Sequence, residues 1–349
     1  MKKSFQIGSA FIGIIVGAGF ASGQEILQFF TSFGYLGIAG SVIAAILFAF
    51  LGMNLMELGS RLQTSSHKDV IYHICGRYVG IFVDVLITFF LFGVTVVMFS
   101  GAGAIFEEQF GLPAFAGSLF MAVITIASVT LNVQKVIGLI SAITPFLLVL
   151  VILIAGYSLF HYDPSSMDMD AAVAKTSPAA PNWIMGALLY VSYNIAAGVA
   201  MITVIGGTVK DRKVARRGGI IGGLGLGLLI LLINISMLPQ LEKISDVAMP
   251  MITLSNAIHP VVGFLMAIVL IGMIYNTAVA MLYAFSARIV KPEKPSFKTF
   301  TILFGVLAFI ASFLGFVNLV GTVYPITGYL GFLLIAAIII SWFTYRKRA

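Results

Sequence analysis

Residues 13–25 of this chain read GIIVGAGFASGQE. Four glycines, Gly13, Gly17, Gly19 and Gly23, crowd an apolar stretch that ends in a carboxylate, Glu25. Glycine costs about 1 kcal/mol relative to alanine inside a helix, so a cluster of glycines makes unwinding cheap. A helix break offers free carbonyls that suit a cation and free N–H groups that suit an anion. Glu25, Glu57 and Asp84 are the acids that fall within apolar stretches. A charge inside a bilayer is costly, which makes each of them a functional candidate. Glu25 follows Gly17 by about two helical turns and is a candidate gate, cation ligand or proton acceptor. Glu57 and Asp84 lie near helix ends, within reach of Arg61 and Arg77, where ion pairing is the simpler role.

The elements that must hold these residues follow from composition. The chain has 349 residues, 60% hydrophobic and 9% charged, with a mean hydropathy of +1.08. Soluble domains carry about 25% charged residues, so this material implies an all-α polytopic protein embedded in the lipid bilayer. Apolar runs and their breaks predict ten transmembrane helices, near 5–31, 34–60, 80–107, 113–131, 136–160, 182–209, 218–239, 260–288, 298–317 and 324–345. Ser66–Tyr78 is too charged to span and reads as a surface amphipathic helix, with Met249–Pro260 a similar short helix on the opposite side. Lys2, Lys3 and the following apolar run resemble a cleavable signal peptide. Against that reading, Ile26–Phe30 continues the apolar stretch past any cut.

Charge sets the orientation. With the N-terminus inside, 18 of the 20 Lys and Arg residues fall on the inner face, leaving Lys175 and Lys243 outside. Glu107, Glu108, Asp163, Asp168, Asp170, Glu242 and Asp246 collect on the outer face. This asymmetry predicts a multi-pass protein of the cell's inner (plasma) membrane with both termini cytoplasmic. The net charge of +7 needs no nucleic acid. The KDRKVARR run at 210–217 is a topology anchor able to touch anionic lipid, with no folded module for nucleic-acid binding beside it. Cys75 is the lone cysteine, and the four histidines lack metal-ligand spacing. No ATP-binding motif, zinc motif or Ser-His-Asp cluster at membrane depth appears, so an enzyme is not expected.

Two readings of the glycines stand side by side. Gly13-x-x-x-Gly17 and Gly19-x-x-x-Gly23 fit close helix packing; the same residues fit a split into half-helices between Val16 and Ser22. Span six supplies a second candidate break at Ser192-Tyr193-Asn194 followed by Ala196-Ala197-Gly198. Dividing the chain into 1–160 and 182–349, joined by an outer connection at 161–181, gives two five-helix halves that each open on an interruption. Halves with odd span counts are inverted relative to each other, and paired interruptions point to a transporter with a midplane site.

GIIVGAGFASGQE resembles the first-helix motif of the amino acid–polyamine–organocation superfamily, whose members share the LeuT fold. GAGFASGQE on an all-apolar chain of this length is similar, more narrowly, to the YkvI-like bacterial membrane proteins. The resemblance implies a 5+5 inverted repeat with broken helices 1 and 6, and alternating access around a central site. It implies a sodium ion held by the carbonyls of Gly13, Val16 and Met273 and the side chains of Asn276 and Thr277; interhelical hydrogen bonding is the alternative role for those two side chains. It implies substrate contacts from Ala18, Gly19, Phe20 and Ser22 in span one and from Tyr193, Asn194 and Ile195 in span six. Ile14 and Phe20 depart from the sodium-symporter pattern, which puts a second sodium site in doubt, and Gly23 stands where that type has its outer-gate arginine. Span five lacks the lysine that replaces sodium in some proton-coupled relatives.

The function expected from this resemblance is a secondary active transporter of a small amino acid or similar zwitterion, coupled to an ion, with sodium favoured over a proton. A uniporter or exchanger of another small organic solute, such as an organic cation, is the same-class alternative. A membrane sensor built on a transporter fold is the different-class one. No cofactor other than the coupling cation is expected.

Overall fold

The computed structural model describes residues 2–63, 67–131, 143–161 and 168–346. Among these residues every regular element is helical. The first apolar stretch is three pieces: α1 (Lys2–Ile15), α2 (Ala18–Ser22) and α3 (Gln24–Phe29). There follow α4 (Tyr35–Leu62), α5 (His67–Phe110), α6 (Ala114–Leu131), α7 (Ile143–Phe160) and the short α8 (Met169–Ala174). The second half runs α9 (Trp183–Gly207), α10 (Arg212–Met237), the short α11 (Leu241–Ile244) and α12 (Pro250–Ile258), then α13 (Pro260–Ile289), α14 (Ser296–Ala311) and α15 (Phe316–Arg346).

Eight of the described helices are long and apolar enough to cross a membrane, and Phe146–Phe160 is a shorter apolar helix. Gly76, at φ +69°, separates a leading segment of α5 from its long rod, where the surface helix was expected; its first residue, Ser66, lies outside the described residues. So do positions 136–142 of the expected fifth span, the outer acid Asp163, and the inner Lys135, Lys347 and Arg348.

A spine of small residues on α10 sets the spacing of the bundle. A Cβ on Gly219 would meet the Gly52 backbone, one on Gly223 the Phe48–Ala49 backbone, and one on Gly227 the side chain of Ala45. These glycines are four residues apart, so they line one face of α10 and let α4 approach backbone to backbone. On the adjoining face, Gly218 and Gly222 receive Ile7 and Phe11 of α1. Apolar helices gain little from hydrophobic burial in lipid, and close van der Waals contact of this kind is what associates them.

The expected break in span six is absent. Helix α9 runs continuously from Trp183 through Asn194 to Gly207. The small and polar residues that suggested a break serve packing instead. Ser192 Oγ donates to the Gly328 carbonyl of α15 at 2.7 Å, and the Asn194 amide donates back to the Tyr190 carbonyl at 3.0 Å. Gly198 makes room for Ile14 and Ile15 of α1. One glycine at a helix contact costs little and its neighbours continue the helix, so the backbone has no reason to open.

Asp84 is paired with Arg288 of α13, not with Arg77 as its position near the helix end implied. Arg288 Nη1 lies 2.6 Å from Asp84 Oδ1 and also donates to the Thr88 hydroxyl. The far end of α5 carries a second tie. Glu108 at the end of α5 accepts the backbone N–H groups of Ala248 and Met249, at 2.5 and 3.0 Å, and so fixes the start of α12. Lys175 and Glu242 meet at 2.6 Å on the same side, and that hydrogen bond holds the Lys175 ammonium above its ordinary range.

Two glycines make opposite predictions. Gly223→Val should lower the midpoint of thermal unfolding in detergent, with a cost of at least about 1–3 kcal/mol from overpacking. Gly13 has nothing within 4 Å of its would-be Cβ, so Gly13→Ala should be neutral or stabilising by up to about 1 kcal/mol. Separately, Asp84→Arg and Arg288→Asp should each lower that midpoint, and the double swap should recover part of the loss.

Candidate functional site

The first apolar stretch breaks where its glycines predict. Val16 N donates to Ile12 O at 2.8 Å, so α1 closes its last hydrogen bond there. Gly17 is then extended, at φ −103° and ψ −173°, which ends the helical series. The last carbonyls of α1 and the first N–H groups of α2 are left without intrahelical partners. Gly13 and Gly17 are not close-packing residues: a Cβ on Gly13 meets open space, and one on Gly17 meets nothing nearer than 3.9 Å.

A second turn follows at once. Gly23 adopts φ +82°, the left-handed region that glycine tolerates without strain. It ends α2 and starts α3, and Met251 of α12 and Met237 of α10 press against it. Ser22 Oγ donates to the Gly19 carbonyl at 2.8 Å and accepts from Gln24 N at 3.2 Å. Its hydroxyl is thus committed to the turn.

This double turn returns Glu25 to the level of the break. Its carboxylate packs directly on Gly19, where a Cβ would collide with Oε1. Glu25 is 6% exposed and accepts a hydrogen bond from the Tyr193 hydroxyl of α9 at 2.5 Å. The Tyr190 and Tyr324 hydroxyls border the same carboxylate. Tyr193 stacks on Tyr324 of α15 with ring centroids 4.8 Å apart and an 11° interplanar angle. Tyr190 meets Tyr193 edge-on at 5.4 Å, and Phe90 of α5 borders both Tyr193 and Tyr324. Pieces of α2, α3, α9 and α15 therefore converge on one carboxylate, with α5 packed against the tyrosines.

Three polar atoms near this point are buried without a hydrogen-bond partner: Gln24 Oε1, Gln28 Oε1 and the Tyr190 hydroxyl. Gln28 sits one turn from Glu25 on α3, its amide donating to the Val317 carbonyl of α15 at 3.1 Å. Leaving buried polar atoms unpaired is costly, and each such atom in a native fold calls for an explanation.

Of the residues expected to hold a cation, Thr277 meets the break. Thr277 Oγ1 of α13 lies 3.9 Å from the point a Cβ on Gly17 would occupy, so α13 does reach the break. Val16 and Met273 are buried, Asn276 is half-buried, and Gly13 is exposed one turn below. Among the expected substrate contacts, Ala18, Gly19 and Phe20 form the buried α2 segment, and Tyr193 faces Glu25. Asn194 and Ile195 do not offer free backbone, because α9 is unbroken there. Among the described residues no three His, Cys, Asp or Glu side chains gather as a metal centre.

Tyr324, Phe90 and Gln28 were not legible as site residues. Tyr324 immediately precedes Pro325 inside α15, and a polar aromatic beside a helix-interior proline was the available signal.

No family model matches the chain. It is 27% identical over 339 residues to the membrane protein YkvI of Bacillus subtilis (strain 168), covering 96% of this chain and 94% of YkvI. It is likewise 27% identical over 331 residues to YyaD of the same organism, covering 94% of each. The chain is homologous to YkvI and YyaD. Among solved structures it is similar to MhsT in complex with L-phenylalanine, with TM-score 0.62, 18% identity and coverage of 94% of this chain and 88% of that one. It is also similar to the Eremococcus coleocola manganese transporter, with TM-score 0.60, 16% identity and coverage of 96% and 78%. A Na+-coupled sialic acid symporter matches with TM-score 0.58, 11% identity and coverage of 96% and 78%. The neighbours are transporters of the LeuT fold, and this chain shares that fold.

Gly19→Ala should push the Glu25 carboxylate off the α2 backbone and break its bond to Tyr193. The expected result is a lower unfolding midpoint, by at least about 1–3 kcal/mol, which Gly19→Ala combined with Glu25→Gln does not restore.

Proposed function

We propose that the chain is a secondary active transporter that moves a small organic solute bearing an amino group by alternating access. One observation carries this reading: the backbone opens at Val16–Gly17 in a transporter fold, and a buried carboxylate, three tyrosines and Thr277 converge on that opening. Opened backbone at membrane depth is tolerated where it is enclosed by protein or lines a polar cavity. A site at such a point, between two halves of a bundle, is what alternating access requires.

The finer parts of the reading are these. Counting the interrupted first stretch and α7 as crossings gives ten, arranged as five in 1–160 and five in 182–349, with 161–181 outside. Both termini then lie in the cytoplasm of a cell whose inner membrane holds the protein. The coupling cation is sodium, held by the carbonyls of Gly13, Val16 and Met273 and the side chains of Asn276 and Thr277. Hard neutral oxygens of this kind suit a small alkali ion. The solute classes in play are amino acids or similar zwitterions and simpler organic cations, and both present an ammonium to the Glu25 cluster.

Flux into proteoliposomes of the purified chain, with and without an imposed sodium gradient, tests the proposal. Uptake of at least one amino-bearing solute should accelerate under the gradient, and Thr277→Val should raise the sodium concentration for half-maximal uptake roughly tenfold or more, as expected for one lost oxygen ligand. Uptake driven by a pH gradient, indifferent to sodium and abolished in Glu25→Gln, would replace sodium with a proton. Saturable binding with no flux of any solute would remove transport itself.

A further inference from the structure

We infer that the Glu25 cluster recognises an organic monocation or dication, a small amine without a free carboxylate, in preference to an amino acid. The inference rests on the transport reading above and narrows its solute.

Four observations carry it. First, Glu25 is buried, and among the described residues its carboxylate is bonded by a tyrosine hydroxyl and paired with no cationic side chain. A carboxylate enclosed at membrane depth calls for a cation from elsewhere. Second, its surroundings are aromatic. The stacked Tyr193–Tyr324 pair and Tyr190 border the carboxylate, with Phe90 packed on the pair, and electron-rich ring faces attract an ammonium or alkylammonium group. Third, Gln28 Oε1, one turn from Glu25 on α3, is buried without a partner. It accepts a hydrogen bond, which an N–H donor of a primary ammonium can supply.

The fourth observation excludes the zwitterion. The Glu25 carboxylate lies on Gly19 at the start of α2, and the Ser22 hydroxyl beside it is committed to the Gly19 carbonyl. A second carboxylate brought to this point meets a like charge across a few ångströms of low-dielectric interior. The protein supplies the anion, and the solute supplies the cation.

Matched pairs that differ by one carboxylate test this directly: isobutylamine against valine, phenethylamine against phenylalanine, and cadaverine against lysine. Binding is read as the shift in unfolding midpoint of the full-length protein in detergent, titrated with each compound and with sodium chloride alone. At least one amine should bind, and its amino acid should bind roughly tenfold more weakly or worse. Glu25→Gln should abolish the shift. Tyr324→Phe should keep affinity within about threefold, because the ring face remains, whereas Tyr324→Leu should lose roughly tenfold.

The inference is overturned if an amino acid binds as tightly as its amine, if no amine of the panel binds, or if Glu25→Gln binds as the unaltered protein does. A Glu25-dependent shift produced by sodium alone, with none from amines, also overturns it. Should Glu25→Gln fail to fold, the matched pairs and Tyr324→Leu decide. Flux separates the two readings. Amine binding without amine uptake in proteoliposomes defeats transport and leaves the recognition intact. Valine uptake undiminished in Glu25→Gln defeats the recognition and leaves transport intact.

Discussion

The structure turns on one carboxylate seated on one glycine. Glu25 lies against the backbone of Gly19, with the Tyr193 hydroxyl holding its other oxygen. A side chain at position 19 would exclude the carboxylate, and a continuous helix through Gly17 and Gly23 would carry Glu25 away from Gly19 altogether. The extended Gly17, the left-handed Gly23 and the Ser22 hydroxyl that bridges the turn are therefore parts of one device. It folds an acid back into the membrane interior, where an acid left unsupported is costly.

The rest of the bundle supports that device. The glycine face of α10 draws α1 and α4 together, and α1 delivers the break. Helix α9 stays intact and presents Tyr190 and Tyr193 one turn apart, while α15 brings Tyr324 to stack on Tyr193. Above the turn, Met251 of α12 rests on Gly23, and Glu108 fixes the start of α12 by capping its backbone. Beside the turn, α13 places Thr277 next to Gly17. A shift of α12 or α13 would be felt at the break through these contacts.

The sequence carried some of this plainly and hid the rest for identifiable reasons. Helix positions were legible because a bilayer demands long apolar runs, and the pieces from Tyr35–Leu62 to Phe316–Arg346 fall where those runs lie. The first break was half-legible: four glycines in eleven positions fitted either close helix packing or a split between Val16 and Ser22, and the helix does open at Gly17. The break in span six was misread: Ser192 and Gly198 look alike whether they open a helix or seat a neighbour, and here they seat α15 and α1. Asp84 was matched to a basic residue near in sequence, whereas Arg288 reaches it from a helix about two hundred positions away. The tyrosine cage was invisible for the same reason, since Tyr193 and Tyr324 meet only through the folded arrangement of α9 and α15.

An experimental density map of the full chain in a lipid nanodisc, prepared with a bound amine, is the measurement closest to the central claim. Expected are an interrupted first helix at Val16–Gly17, an unbroken α9, and ligand density at the Glu25 carboxylate beside the Tyr193 and Tyr324 rings. A first helix continuous through Gly17, or ligand bound elsewhere with Glu25 turned away from Gly19, would contradict the claim.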